Sequence, residues 1–121
     1  MVALEELYSR RQAIEAGVLV DLTPMAEQVG IGIPVAATYL VWSRLLVPVD
    51  EHEPFREAEA RLWTTLDELK ETIDGLGRTK TSWFRSVLAV ATGQKLHLVK
   101  AICGPGDDPE PVITLMLPEE D

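Results

Sequence analysis

The residues best able to do chemistry gather at two places in this chain. Gly104-Pro105-Gly106-Asp107-Asp108-Pro109-Glu110 sets three carboxylates, Asp107, Asp108 and Glu110, within four residues of a turn rich in glycine and proline. Carboxylates so spaced could recruit a hard cation, but the alternating ligand ladder and closing Glu of an EF-hand loop are missing. They are expected to serve the backbone of the turn, with no metal bound. Their repulsion needs relief, and solvent, Lys100 and Arg10 are the expected sources. The second place is Asp21, which closes the apolar run Val18-Leu19-Val20 and is the best single acid–base candidate. An aspartate at a strand end more often pairs with an arginine or caps the next element; Arg10 or Arg11 is the expected partner. Tyr8, Arg10, Asp21, Lys100, Asp107, Asp108 and Glu110 together make the candidate binding set, at strand ends and turns where sites tend to lie.

Other constellations fail on spacing or composition. Nucleophilic catalysis needs a nucleophile, a base and an orienting group that converge. Cys103 and His97 are the only such pair close in sequence. Six residues on one strand separate them by about 20 Å, far beyond a hydrogen bond. His52 stands in an acidic loop with no second histidine at ligand spacing, and the single cysteine cannot contribute to a zinc cluster. Gly-x-Ser-x-Gly, Gly-x-Gly-x-x-Gly and the P-loop pattern do not occur. No catalytic residue is assigned, and no cofactor is expected. Trp42, Trp63 and Trp83 are expected as core anchors, since no arginine-interleaved aromatic ladder accompanies them.

Several elements must position these residues. Ser9 and Gln12 have the spacing of a capping box, which predicts a short helix that Gly17 stops. Val18 to Asp21 reads as a buried strand. Thr23-Pro24 predicts an N-cap and a second helix to about residue 29, closed by Gly30 and Gly32. Pro34 opens a predicted third helix through about Leu46. Phe55, Ala58, Leu62, Leu66, Leu69 and Ile73 recur at three- and four-residue steps, which predicts a long helix with one apolar stripe behind Pro54. The period then changes to two, and 83–91, 95–103 and 112–117 read as strands, the first two joined by a short hairpin. Alternation places Leu96, Leu98, Lys100 and Ile102 on one face of the middle strand, the more apolar one. Lys100 is therefore expected at a sheet margin or beside a carboxylate such as Asp21. The expected fold is a single α+β domain over 1–121: a mostly antiparallel sheet of three to four strands with helices packed on one face.

Composition sets the class. The chain has 121 residues, 46% of them hydrophobic, and one cysteine. That supports one domain with one core, and a reducing, cytoplasmic setting. The N-terminal acids do not suit a signal peptide, and no apolar run nears the roughly 18 residues of a membrane span. The net charge of −9 is unevenly spread. Nine acids and three bases lie between Asp50 and Asp74, five bases and no acid between Gly75 and Gly106, and six acids and no base from Asp107 onward. The overall field repels phosphate backbones and anionic lipid, so neither nucleic acid nor membrane is an expected partner.

Tyr8-Ser9-Arg10-Arg11-Gln12-Ala13-Ile14-Glu15-Ala16-Gly17-Val18-Leu19-Val20-Asp21, Pro34-Val35-Ala36, Arg61-Leu62-Trp63 and the ending from Lys100 to Pro118 resemble a family of small acidic bacterial proteins of unassigned function. Its members occur on chromosomes and on phages and other mobile elements. The resemblance spans nearly the whole chain, is most specific at its two ends, and varies most over about 49–83. It implies a complete domain and brings no catalytic residues with it. Small size, acidity and the lack of a catalytic constellation lead to one expectation: a non-enzymatic module that binds another protein or itself, with mobile DNA or phage as its expected source. The alternative is a small ligand-binding or enzymatic domain with its site near Tyr8, Arg10, Asp21 and the Gly104–Glu110 turn.

Overall fold

A computed structural model describes residues 9–46, 55–76, 84–92, 95–107 and 110–120. The expected capping box forms at the first helix, α1 (Arg10–Glu15): Ser9 Oγ accepts from the Gln12 N–H, and Gln12 Oε1 accepts from the Ser9 N–H. Gly17, at φ 78°, then turns the chain in the left-handed conformation that glycine adopts without steric cost. Strand β1 (Leu19–Asp21) leads into α2 (Thr23–Gln28). Thr23 does not cap this helix. Leu22 holds the N-cap position, and the Thr23 hydroxyl instead bonds both the N–H and the C=O of Val35. Asp21 Oδ1 accepts from the Thr23 N–H at 3.0 Å, so the aspartate does cap the element that follows it.

The helix expected from Pro34 begins as a strand. Val35–Thr38 is β2, and only then come a single turn, α3 (Tyr39–Val41), and a π-helical turn over Trp42–Leu46. All four residues of β2 are buried, because the strand lies inside the sheet with both faces covered. A strand buried on both faces shows no alternation, and two alanines in four residues fit a helix equally well. The long helix α4 (Phe55–Leu76) is followed by β3 (Phe84–Thr92), β4 (Lys95–Pro105) and β5 (Pro111–Met116), and Pro118–Glu120 forms a 3-10 turn.

The fold is α+β, as expected, with five strands where three to four were expected. Their order is β1-β2-β5-β4-β3. The β2–β5 pairing is parallel and the other three are antiparallel. One face carries the main core: Val35 and Ala37 of β2, Ile113 and Leu115 of β5, Val99, Ala101 and Cys103 of β4, and Leu88 and Val90 of β3. Leu62, Leu66 and Leu69 of α4 pack into it, with Ala58 buried and Ile73 at its edge, which bears out the stripe from Ala58 to Ile73. The Phe55 side chain lies outside the described residues, and Trp42 and Trp63 pack against the margin. The opposite face is covered at one end only. There Ala13 of α1 packs on Leu19 and Ala36, with Ile14 and Val18 alongside.

Strand β3 is an edge, and α4 covers part of it. Two side chains seven residues apart on α4 reach the edge: Glu68 Oε1 accepts from the Ala89 N–H at 3.5 Å, and Arg61 Nε donates to the Ala91 carbonyl at 3.2 Å. Arg61 Nη1 also donates to the carbonyls of Leu45 and Leu46, each at 3.1 Å. One guanidinium thus ties the end of the π turn, α4 and β3 together while satisfying carbonyls that a helix end leaves unpaired. Such side-chain cover is one way of blunting an exposed strand edge.

Candidate functional site

The β4–β5 turn and the start of α1 meet across nearly the whole chain length. Both carboxylate oxygens of Asp107 accept backbone N–H groups of α1: Oδ1 from Arg10 at 2.6 Å and Oδ2 from Arg11 at 3.0 Å. Every α-helix begins with orphan donors. Here the local capping box takes the N–H groups of Ser9 and Gln12, and Asp107 takes the two between them. The first intrahelical bond, from the Ala13 N–H to the Ser9 carbonyl, follows at once. A negative charge at this end of the helix also complements its dipole. The turn is close-packed on itself: a Cβ on Gly106 would stand 2.9 Å from Val112 Cγ1.

The Arg10 side chain runs from this clasp onto the sheet. Its Nη1 donates to Thr114 Oγ1 and its Nη2 to the Ile113 carbonyl, both at 2.7 Å. Burial pulls Arg10 below the usual arginine range, while the charges of Asp21 and then Asp107 and Cys103 pull it back up. Burial likewise pushes the Cys103 thiol up, against the opposing effect of Arg10. The cluster therefore pairs a cation bonded on two sides with a thiol held in its protonated form. A guanidinium does not serve as a proton acceptor. The Thr114 hydroxyl has no base among the bonded groups that would make it a nucleophile.

The structure brings together Arg10, Asp21 and Asp107 from the expected set, and it adds Thr114, which no sequence signal marked. Asp21 is exposed and spends one oxygen on Thr23, so it closes the strand from outside the core. Glu110 is exposed, and the Gly106 N–H meets its backbone carbonyl at 3.2 Å. Tyr8 and Asp108, like His52 and Trp83, lie outside the described residues. Among the described residues no three His, Cys, Asp or Glu side chains are grouped to hold a metal ion.

Lys100 lies on the face of β4 that looks away from the main core, the face that Thr114 shares on β5, two residues along the strand from Ile102, which opposes Thr114. The alternation is right, but the face shared by Leu96, Leu98, Lys100 and Ile102 is the outer one. Val99, Ala101 and Cys103 are buried in their stead. Helix α4 covers the face with the smaller side chains, and the larger aliphatics are left outside. Leu96 is 68% exposed, Leu98 55% and Val87, on the neighbouring strand, 57%. Val87 opposes Lys100, Ala89 opposes Leu98 and Ala91 opposes Leu96, so these side chains share one surface. At its end is an open groove of about 440 Å³ whose walls include Arg44 of the π turn, Leu96, His97, Leu98, Leu117 and Glu119. His97 Nε2 lies 2.7 Å from Thr92 Oγ1, which fixes the ring at the groove's edge. Thr38 Oγ1 donates to Glu120 Oε1 at 2.7 Å, and the same oxygen accepts from the Leu117 N–H. This holds the 3-10 turn as the far wall.

In comparisons of the chain with protein-family models, curated proteins and solved structures, none matches.

Proposed function

We propose that this protein is a non-enzymatic interaction module that binds another protein through the outer face of β3 and β4. The carrying observation is the trio Val87, Leu96 and Leu98, each more than half exposed and adjacent on paired strands. Of the four large hydrophobics exposed among the described residues, three are on this surface. Single exposed aliphatics are ordinary, but a contiguous group on a sheet face is the kind of surface that a partner covers. The polar cluster supports the same reading. Its carboxylate and guanidinium are engaged within the chain, so it acts as a clasp between α1 and the β4–β5 turn.

The reducing cytoplasm suits the free buried Cys103. Among the described residues no helix is long and apolar enough to cross a membrane. Membership in a family carried by bacterial chromosomes, phages and mobile elements belongs to this proposal, with a host protein as the partner. Affinity purification from the native host tests it. Wild type should retain a protein that the Leu96→Glu, Leu98→Glu double variant loses, with both forms equally folded. Equal recovery by the two forms would overturn the assignment of the surface.

A further inference from the structure

We infer that the groove at the end of this face selects a partner segment that interleaves carboxylates with aliphatic side chains, and that Arg44 is its anchor. The inference rests on the outer face being the contact surface. It adds the chemistry of what binds there.

The chain carries a net charge of −9, yet neither β3 nor β4 contains an acid. Arg44 is exposed, and its guanidinium makes no hydrogen bond or ion pair among the described residues. It lies in the wall of the same groove as Leu96 and Leu98. Lys95, also exposed, begins the strand beside them. Among the described residues Glu119, on the 3-10 turn, is the one acid in the groove wall. At physiological ionic strength charges are screened over about 8 Å, so the acids of α4 weigh little here and local bases set the potential. An acidic partner is thus favoured at a spot on an acidic protein, and a second copy packed face to face offers Arg44 only Glu119 from the described groove wall. Aliphatic side chains fill the apolar part, about 7 Å apart along β4, a spacing that alternate residues of an extended segment match. The outward positions of β3 and β4 (Arg85 to Ala91, Leu96 to Ile102) hold no aromatic ring on which a base could stack, and His97 at the groove's edge is tied to Thr92 Oγ1. A protein segment therefore fits better than a nucleic acid.

The test is to pan a random peptide library on the full-length protein, with Arg44→Glu and the Leu96→Glu, Leu98→Glu variant alongside. Peptides enriched on wild type should interleave Asp or Glu with Leu, Ile or Val, and should be lost on the double variant. Binding of the best peptide should weaken about tenfold on Arg44→Glu, the scale of reversing a charge pair at an interface rim. Enrichment of basic or uncharged peptides that still need Leu96 and Leu98 would overturn the acidic specificity and leave the surface standing. So would an acidic peptide indifferent to Arg44→Glu. Enrichment independent of the two leucines, or none, would overturn both. Tight binding of random duplex DNA that Arg44→Glu abolishes would replace the peptide with nucleic acid.

Discussion

Replacing Asp107 by alanine removes an acceptor from two helix N–H groups at once. The loss follows from which donors have an alternative. Ser9 and Gln12 cap each other and are untouched, whereas the Arg10 and Arg11 N–H groups have only Asp107 among their bonded partners. Both bonds are exposed, so water recovers part of the energy. Losing an N-cap acceptor costs about 0.5–2 kcal/mol, and hydrogen bonds to a charged group lie near the top of that range. The expected cost of Asp107→Ala is therefore about 1–2 kcal/mol, roughly 3–8 °C in Tm for a chain of this size. Asp107→Asn, which keeps one acceptor oxygen, should cost about half as much. The side chain of Glu110, in the same turn, makes no described contact, so Glu110→Ala should fall within about 0.5 kcal/mol of wild type. Urea titration followed by tryptophan fluorescence measures all three. Amide exchange should also quicken at Arg10 and Arg11 in Asp107→Ala. Asp107→Ala indistinguishable from Glu110→Ala would refute the clasp.

Leu66 is fully buried between α4 and the sheet, and Leu66→Ala should cost about 2–5 kcal/mol by urea denaturation; a loss under about 0.5 kcal/mol would contradict the packing of that helix. Cys103 should react with iodoacetamide far more slowly in the native protein than in urea. Its folded thiol binds the proton more tightly than the unfolded one, so the stability it contributes is complete below the ordinary thiol range and is lost as pH climbs through the raised value. Equal labelling rates in the two states would refute its burial. Millimolar calcium or magnesium should leave Tm unchanged, since both Asp107 oxygens already accept N–H groups. A rise of several degrees would signal a cation bound to the folded state.

Much of the fold could be read from local pattern. The Ser9–Gln12 capping box, the stop at Gly17, the α4 stripe and the three C-terminal strands each depend on residues close in sequence. What escaped depends on distant ones. Strand β2 exists because β1 and β5 flank it, and nothing within Val35–Thr38 says so. Alternation showed which side chains of β4 share a face but not which face α4 covers, and hydrophobicity pointed to the wrong one. At the clasp, Arg10, Asp21 and Asp107 were legible as charged residues at element ends. The bond joining Arg10 to Asp107 spans 97 residues, and Thr114 is one more threonine in a strand.

A partner protein that covers the outer face of β3 and β4 has to come within reach of position 98. Photocrosslinking in the native host tests this most directly, with benzoylphenylalanine placed at Leu98 and, in a separate variant, at Glu71, an exposed position on α4. A discrete crosslinked protein from position 98 and none from position 71 is the expected result. Crosslinks from position 71 alone, or from neither position, would contradict the account.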